Sequence, residues 1–219
     1  REIVIGMDFE SVKYKTINMN LWGCLALIGN TQSRIRFVQN MMQALAQNIV
    51  FHEVEAVIID DRAKLLSTLK EFAFVQAYTN DGEEAMMIIS SFCDGVTKRL
   101  QDEDITGRSK KMLIINNTDV MKKLNADKTI AKELSEAIKM ANEADCFLLL
   151  ANVENQNVGF NSSEVLKTVK ELRQAVLFEQ LVDNKIFEMG SRVKADTNFD
   201  TTMGYLFEGN TYSKIKIFE

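Results

Sequence analysis

One histidine, three cysteines and no proline occur among the 219 residues, and no apolar stretch is long. His52 has no partner set for a zinc site or for a Ser/His/Asp triad, and its place just before a predicted strand favours an ordinary polar role. The apolar runs fall well short of the ~18 residues that a membrane-spanning helix needs, and the start at Arg1 does not have the form of a signal peptide. These scarcities argue against a zinc enzyme, a triad hydrolase and a membrane span within the chain.

Basic patches and cysteine pairs are absent as well. The net charge is -5 and the pI is near 5.2, whereas proteins that bind nucleic acid neutralise its phosphates with clustered basic residues. The lysines are scattered, so nucleic acid is disfavoured as a partner. Cys24, Cys93 and Cys146 lie in apolar segments without C-x-x-C spacing, which indicates reduced core residues of a cytosolic domain rather than disulfides or metal ligands. No metal site is predicted.

What the sequence has in quantity is apolar residues, which make up 46% of the chain. A chain of this length and composition can bury a full core and fits one medium domain, so residues 1–219 are predicted to be a single domain. Because the sequence does not begin with Met, we interpret that domain as a fragment of a longer chain.

Periodicity predicts buried strands alternating with helices. The expected order is an N-terminal hairpin, a strand, a helix from about Ile35, a strand ending at Asp60 and Asp61, a long helix, a strand, a helix, two more strands, and a C-terminal hairpin that turns at Gly209 and Asn210. Such alternation is typical of a three-layer α/β fold, in which helices cover both faces of a mostly parallel sheet. Methionines at 41, 42, 86 and 87 are interpreted as core side chains of the helices.

The connection from the first central strand to its helix has the frame of a phosphate-binding loop without its chemistry. The pattern G-x-x-x-x-G-K-[ST] lets backbone N–H groups cradle phosphate oxygens, while the lysine reaches the β and γ phosphates and the hydroxyl binds Mg²⁺. Counted from Gly29, the second glycine is Arg34, the lysine is Ile35 and the Ser/Thr is Arg36. The degenerate loop is therefore Gly29, Asn30, Thr31, Gln32, Ser33, Arg34, Ile35 and Arg36.

Two interpretations of the loop's arginines stay open. A side chain at Arg34 crowds the place where phosphate would approach the backbone. Arg34 and Arg36 are interpreted as solvated residues at the start of a helix, with the alternative that their guanidinium groups hold an anion there.

A second strand, "MLIINN", ends in Asn116 and Asn117. In the Walker B arrangement these positions carry carboxylates, one for Mg²⁺ and one to polarise the attacking water. An amide neither neutralises a dication nor acts as a base at neutral pH. Asp119 is offset by two residues and is expected to point away from the strand tip. Because ligands of parallel sheets sit at the carboxyl ends of the strands, Gly29 and Asn116 are expected to fall on one site.

The order of these segments resembles the FtsK/SpoIIIE class of RecA-like motor ATPases. The resemblance covers nearly the whole chain and rests on "IGMD", the loop at Gly29, "VIIDD", "YTNDGEEA", "MLIINN" and "LLLANVENQNV". More narrowly, the chain is similar to the last of the tandem ATPase domains of the EssC/YukB coupling ATPases of type VII secretion. In that family a Thr-Gln-Arg sensor follows the fourth strand, where this chain has Asn152, Val153 and Glu154.

The resemblance implies a cytoplasmic domain of a protein anchored in the bacterial plasma membrane. It further implies small helical secreted proteins and neighbouring ATPase domains as partners, and a hexameric full-length protein. In such rings a neighbour's arginine completes the site, and Arg173 and Arg192 are the candidates here.

Three functions are weighed. The first is a degenerate ATPase domain that recognises substrates and regulates its neighbours, with no catalytic residue and no cofactor; the site favours it. The second is a domain that binds ATP weakly or hydrolyses it through unusual ligands. The third is a DNA translocase module. Loss of the lysine, the hydroxyl and both acids would remove most of the electrostatic stabilisation on which phosphoryl transfer depends.

Overall fold

The structure is a computed structural model that describes residues 2–48, 53–102, 107–190 and 192–218. His52 lies outside these residues. The described strands are β1 (Glu2–Asp8), β2 (Tyr14–Asn18), β3 (Cys24–Gly29), β4 (Val54–Asp60), β5 (Val75–Thr79), β6 (Lys110–Asn116), β7 (Cys146–Val153), β8 (Gln174–Phe178), β9 (Met203–Glu208) and β10 (Thr211–Lys216). The α-helices are α1 (Thr31–Asn48), α2 (Gly82–Gln101), α3 (Thr118–Ala126), α4 (Lys128–Met140) and α5 (Glu164–Leu172), with short 3₁₀ turns at Ser67–Glu71 and Leu181–Asp183.

All ten described strands belong to one sheet with the order β2-β1-β10-β9-β8-β3-β7-β6-β4-β5. The run from β8 to β5 is parallel, whereas β9, β10, β1 and β2 pair antiparallel. The predicted fold class is confirmed, including the hairpin of β9 and β10, whose turn residue Gly209 has φ of 59°. Only glycine adopts that left-handed conformation without steric cost.

Helices cover both faces of the sheet. On β3, Leu25 and Leu27 face the layer formed by α1, while Cys24, Ala26 and Ile28 face the layer formed by α2, α3, α4 and α5. Every one of these side chains is at most 2% exposed, so β3 is buried on both faces as its continuous apolar run predicts. This double coverage leaves the carboxyl ends of the parallel strands as the open edge of the sheet.

Three elements lie outside the segments that periodicity predicts: β5, α3 and α5. β5 is the edge strand of the sheet, and its central residues Gln76 and Ala77 are exposed, so it has no continuous apolar run. The helices α3 and α5 have nine residues each and are fixed by caps, Asn117 for α3 and Ser163 for α5. Short helices of this kind are stabilised by tertiary contacts more than by their own periodicity.

The buried residues agree with most of the predicted core. Met41 and Met42 are fully buried and Met86 packs partly, but the core assignment of Met87 is wrong, since its side chain is 67% exposed. Met87 follows the buried Ala85 by two residues on α2, so its side chain lies about 200° around the helix from the core-facing stripe.

The three cysteines are buried free thiols, and burial raises the pKa of Cys24 to about 12. No helix in the described ranges combines the length and apolarity that crossing a bilayer requires.

The segment between β8 and β9 closes over the start of α1. Ser33 Oγ donates a hydrogen bond to the carbonyl oxygen of Thr201 at 2.7 Å. In the same segment the Asp196 carboxylate accepts from Lys214 Nζ at 2.6 Å and from the Tyr205 hydroxyl at 3.0 Å. The hydrogen bond from Lys214 is the main reason that the pKa of Asp196 lies below its usual value. The first contact joins the segment to the start of α1, and the other two join it to β9 and β10.

Candidate functional site

The strand order places the predicted site residues at one edge of the sheet. β3, β7 and β6 are neighbours, so their carboxyl ends bring Gly29, Asn152 and Asn116 side by side. The end of β4 adds Asp60, which pairs with Asn116 in the ladder. In parallel α/β sheets this is the edge at which ligands bind.

The connection between β3 and α1 is far shorter than a phosphate-binding loop. Helix α1 begins at Thr31, four residues before the predicted start at Ile35, so Asn30 alone separates it from β3. Asn30 Oδ1 accepts from the Ser33 backbone N–H at 3.0 Å, and the Arg34 N–H donates to the Asn30 carbonyl at 3.0 Å. The backbone N–H groups of Asn30, Ser33 and Arg34 are therefore engaged, by the Phe178 carbonyl, the cap and the helix respectively. Gln32 and Arg36 lie on the first turns of the same helix.

Arg34 is buried inside the connection, with 5% of its surface exposed. Its Nε donates to the Gly29 carbonyl at 2.8 Å, one Nη donates to the Ala151 carbonyl, and the other donates to Thr31 Oγ1 at 3.0 Å. The interpretation of Arg34 as a solvated residue is therefore wrong, because its guanidinium points into the protein, where three of its five N–H groups are engaged. The same contacts argue against the alternative that it holds an anion. Burial lowers the pKa of Arg34, and the charges of Asp61 and Glu179 oppose that shift.

The bond to Ala151 falls at an irregularity of the sheet. The pairing of β3 with β7 shifts register between Ala26 and Ile28, so β7 carries one extra residue there. Such a bulge locally disrupts the ladder of backbone hydrogen bonds. Arg34 supplies a donor to the carbonyl at that point and links the end of β3 to the end of β7. Ile35, at the lysine position, is 9% exposed and belongs to the apolar core beneath α1.

Glu179 lies against Gly29, where phosphate would approach the backbone. Gly29 has φ of 96°, and a Cβ added there would stand 2.6 Å from Glu179 Cγ and 3.0 Å from the Phe178 carbonyl oxygen. Asn155 Nδ2 donates to the Glu179 carboxylate and to the Asp183 carbonyl, which holds the acid in place. A fixed carboxylate opposes the entry of an anion. Sequence reasoning missed Glu179, although its position directly after a buried strand was a usable signal.

Asn116 and Asn117 hold the ends of β4 and β6 together. Asn116 Nδ2 donates to Asp60 Oδ1 at 2.9 Å, and Asn117 Nδ2 donates to the Asp60 carbonyl oxygen at 2.7 Å. Asn117 Oδ1 accepts from the Val120 N–H at 2.9 Å and so caps α3. Asp119 follows in the first turn of that helix and is exposed.

Asp60 is a buried carboxylate that sequence reasoning noted only as the end of a strand. It is fully buried and also accepts from the Tyr78 hydroxyl at 2.9 Å, the Leu66 N–H at 2.8 Å and the Asp61 N–H at 2.9 Å. Burial raises the pKa of Tyr78, and its hydrogen bond to Asp60 adds to the shift. With Asn116 as the fourth donor, the carboxylate has little capacity left for a metal ion. Among the described residues, no group of three or more His, Cys, Asp or Glu side chains is placed to hold one.

The remaining predicted site residues, Asn152, Arg173 and Arg192, lie in different parts of the domain. Asn152 Nδ2 donates to Thr118 Oγ1 at 2.8 Å, and its side chain lines a cavity of about 350 Å³ together with Gly29 and Glu179. Arg173 is held within its own domain, because Nε donates to the Gly209 carbonyl at 2.6 Å and the guanidinium stacks on two phenylalanine rings. These contacts argue against Arg173 as the arginine offered to a neighbour, which stays a prediction. Arg192 is exposed.

No protein-family model matches the sequence, and no curated protein matches it. Solved structures do match in fold. The second and third ATPase domains of EssC from Geobacillus thermodenitrificans superpose with a TM-score of 0.76 at 14% identity, over 99% of this chain and 40% of theirs. The same two domains of EccC from Thermomonospora curvata, solved in complex with a signal sequence peptide, superpose with a TM-score of 0.76 at 13% identity, over 99% and 40%.

The cytoplasmic domain of EssC gives a TM-score of 0.73 at 15% identity, over 99% of this chain and 43% of that one. The chain thus spans about two-fifths of the length of each of these structures. The resemblance inferred from the sequence motifs is confirmed at the level of the fold. We conclude that this chain has the fold of the ATPase domains of EssC and EccC.

Proposed function

We propose that this chain is a non-hydrolysing ATPase-fold domain of a type VII secretion motor, which recognises small helical secreted proteins and regulates neighbouring ATPase domains. The observation that carries the proposal is the start of α1 at Thr31, with Arg34 folded beneath it. Winding the loop into the helix engages the N–H groups of Ser33 and Arg34, which a phosphate-binding loop would present to its ligand, and Glu179 adds a negative charge at the same place. Ile35 is in the core and is not a lysine that could reach a phosphate.

The catalytic half of the site argues in the same direction. Phosphoryl transfer depends on a metal ion and on a group that positions the nucleophile. Asn116 and Asn117 are engaged as a clamp on Asp60 and as a helix cap, and Asp60 itself is saturated with donors. The domain is therefore proposed to have kept the sheet of a motor ATPase as a scaffold.

The proposed partners follow from the solved relatives. Two of the solved structures that share this fold contain ATPase domains 2 and 3, and one of these two was solved in complex with a signal sequence peptide. By analogy, this domain is proposed to sit beside other ATPase domains in a cytoplasmic portion of a membrane-anchored, hexameric protein. Its proposed ligand is the C-terminal tail of a small helical secreted protein, whose apolar face a groove on the domain would hold.

Hydrolysis is tested by measuring phosphate released from ATP in the presence of the 219-residue chain, with and without Mg²⁺. Binding is measured separately by titrating ATP into the same protein. We expect no turnover above buffer. The control is Asn117→Ala, which removes a cap but no proposed catalytic group. Phosphate release that disappears in this variant would contradict the proposal and would favour the alternative, an enzyme with unusual ligands.

Docking is tested separately by titrating a labelled tail peptide of a cognate secreted protein into the domain. We expect saturable binding with a Kd on the order of micromolar or weaker, because few contacts must offset the entropy of association. The affinity should be the same with and without ATP and Mg²⁺. Binding that requires ATP would reject the docking role. So would the absence of saturable binding at domain concentrations up to the millimolar range.

A further inference from the structure

A polar cleft runs from Gly29 along the loop that joins β7 to α5. It consists of the cavity of about 350 Å³ described above and an adjoining cavity of about 680 Å³. The two share Asn125, Gln156 and Leu166 among their walls, so they form one continuous surface depression. We call it the amide cleft after the six Asn and Gln residues that line it: Asn125, Asn152, Asn155, Gln156, Asn157 and Asn161.

Asn155 is engaged with Glu179, Asp183 and Lys185, but most of the hydrogen-bonding capacity of the other five amides is unused within the described part of the chain. Gln156, Asn157 and Asn161 have no side-chain hydrogen bond to any described residue. Asn152 uses its NH₂ group on Thr118 and keeps its oxygen, whereas Asn125 accepts from Ser163 Oγ at 2.7 Å and keeps its NH₂ group. The cleft therefore presents donors and acceptors in comparable number along its length.

The cleft carries few charges, and they are of both signs. Glu154, Glu179 and Lys122 line it, and the buried Arg34, whose guanidinium points into the protein, is close enough to Glu179 to offset part of its charge. A phosphate would meet the two carboxylates, and a polybasic ligand would meet Lys122 and a Glu179 that already accepts a hydrogen bond from Asn155. The wall suits a ligand that is neutral and rich in both donors and acceptors.

An exposed aromatic ring stands at the outer end of the cleft. Phe160 is 93% exposed, and the only ring contact it makes with a described residue is Lys167 Nζ at 5.7 Å from the centroid. Leu166, Met121 and Val153 give the inner wall an apolar floor. Covering a phenyl ring of this exposure is favourable in itself, so the ligand should carry apolar side chains as well as polar groups.

We propose that the amide cleft binds an extended polypeptide segment through its backbone. Each peptide unit offers one N–H donor and one C=O acceptor. A primary amide side chain carries the complementary groups, an oxygen that accepts from the N–H and an NH₂ group that donates to the C=O. In an extended segment, alternate side chains fall on one side about 6.8 Å apart, so apolar residues can cover Phe160 and Leu166 while the backbone faces the amides. This inference rests on the proposed docking function, since it names where and in what form the non-helical part of a tail is held.

The test uses the 219-residue chain and a capped, dye-labelled decapeptide of alternating apolar and polar residues. A second peptide of the same sequence carries N-methyl groups on alternate backbone nitrogens, which removes donors without removing side chains. Anisotropy measures affinity, and the side-chain NH₂ resonances of the Asn and Gln residues report the site. We expect saturable binding that shifts Gln156 and Asn161 and weakens about fivefold or more with the N-methylated peptide.

Variants locate the contact. Gln156→Ala and Phe160→Ala should each weaken peptide binding about fivefold. The first removes a contact worth about one net hydrogen bond, and the second removes an aromatic ring that the peptide partly covers. Both side chains are largely free of internal partners, so folding should be unaffected. The matched controls are Gln76→Ala, an exposed amide on the edge strand β5, and Met87→Ala, an exposed apolar residue on α2. Both controls should bind as the unaltered chain does.

Equal affinity for the two peptides, or unchanged affinity in both cleft variants, would overturn the inference. So would adenosine or a sugar that shifts the same resonances when the peptide does not. A secreted tail that binds while Gln156→Ala and Phe160→Ala have no effect would leave the docking function standing and reject this site. Peptide binding at the cleft with no binding of any secreted tail would support the site and reject the docking function.

Discussion

Arg34→Ala is expected to destabilise the domain by about 3 kcal/mol, since Arg34 is the one cation buried under the start of α1 in the described structure. Truncation leaves the carbonyls of Gly29 and Ala151 without their donor, and each unpaired buried acceptor costs about 1–3 kcal/mol. Thr31 is exposed, so its hydroxyl can accept a hydrogen bond from water in place of the lost one from Arg34. Removing a buried charge also relieves its desolvation, which offsets part of the loss.

The same change should lower Tm by roughly 6–12 °C, because about 1 kcal/mol corresponds to 2–4 °C in a domain of this size. Arg34→Lys should recover only part of the loss, since an ammonium on a flexible stem cannot serve three fixed acceptors as a planar guanidinium does. Thermal and urea unfolding followed by circular dichroism would measure both variants.

Arg36→Ala is the matched control, two residues along the same helix. Arg36 is half-buried and makes no hydrogen bond or ion pair with another described residue, so its loss should change stability by less than ~0.5 kcal/mol. If Arg34→Ala and Arg36→Ala cost the same, or if Arg34→Ala costs less than ~1 kcal/mol, then the guanidinium does not hold β3 to β7 and the reasoning about the collapsed loop is refuted.

Further predictions address the rest of the site and the segment above it. The triple variant R34G/I35K/R36S should show no phosphate release, because the Walker-B-like strand still lacks acids; robust turnover would mean that its asparagines were overvalued. Asn117→Ala should cost about 1 kcal/mol in urea unfolding through loss of the α3 cap, and an unchanged midpoint would contradict this role. Asp196 has a lowered pKa, mainly through a hydrogen bond from a lysine ammonium, so its contribution to stability is present above its unfolded pKa and is lost as pH falls through the folded pKa. Asp196→Asn should flatten that acid limb of the stability profile; an identical profile would reject the assignment.

The parts of the fold that were predictable have strong periodicity. β3, β6 and β7 are apolar on both faces, and this pattern alone indicates strands inside a covered parallel sheet. The order of strands and helices then restricts the topology to a doubly covered α/β architecture. By contrast, the edge strand β5 and the nine-residue helices α3 and α5 have too little periodic signal to be recognised.

The start of α1 was misplaced because the G-x-x-x-x-G frame suggests a loop of fixed length. The residues after Gly29 are free to continue as helix once Asn30 caps it, and nothing in the local pattern distinguishes the two courses. The core assignment of Met87 failed for a similar reason, since apolar composition alone does not distinguish a residue on the solvent-facing side of α2 from one in its core-facing stripe.

The sequence by itself determined the fold class and the identity of the missing groups: Ile35 is not a lysine, and Asn116 and Asn117 are not acids. Those facts are local and need no coordinates. Only the tertiary structure decided what occupies the vacated positions. Arg34 becomes an internal clamp because Ala151, 117 residues further along the chain, presents a carbonyl beside it. A buried charge is stable only where distant segments bring acceptors together, and no pattern of neighbours in the sequence specifies that meeting.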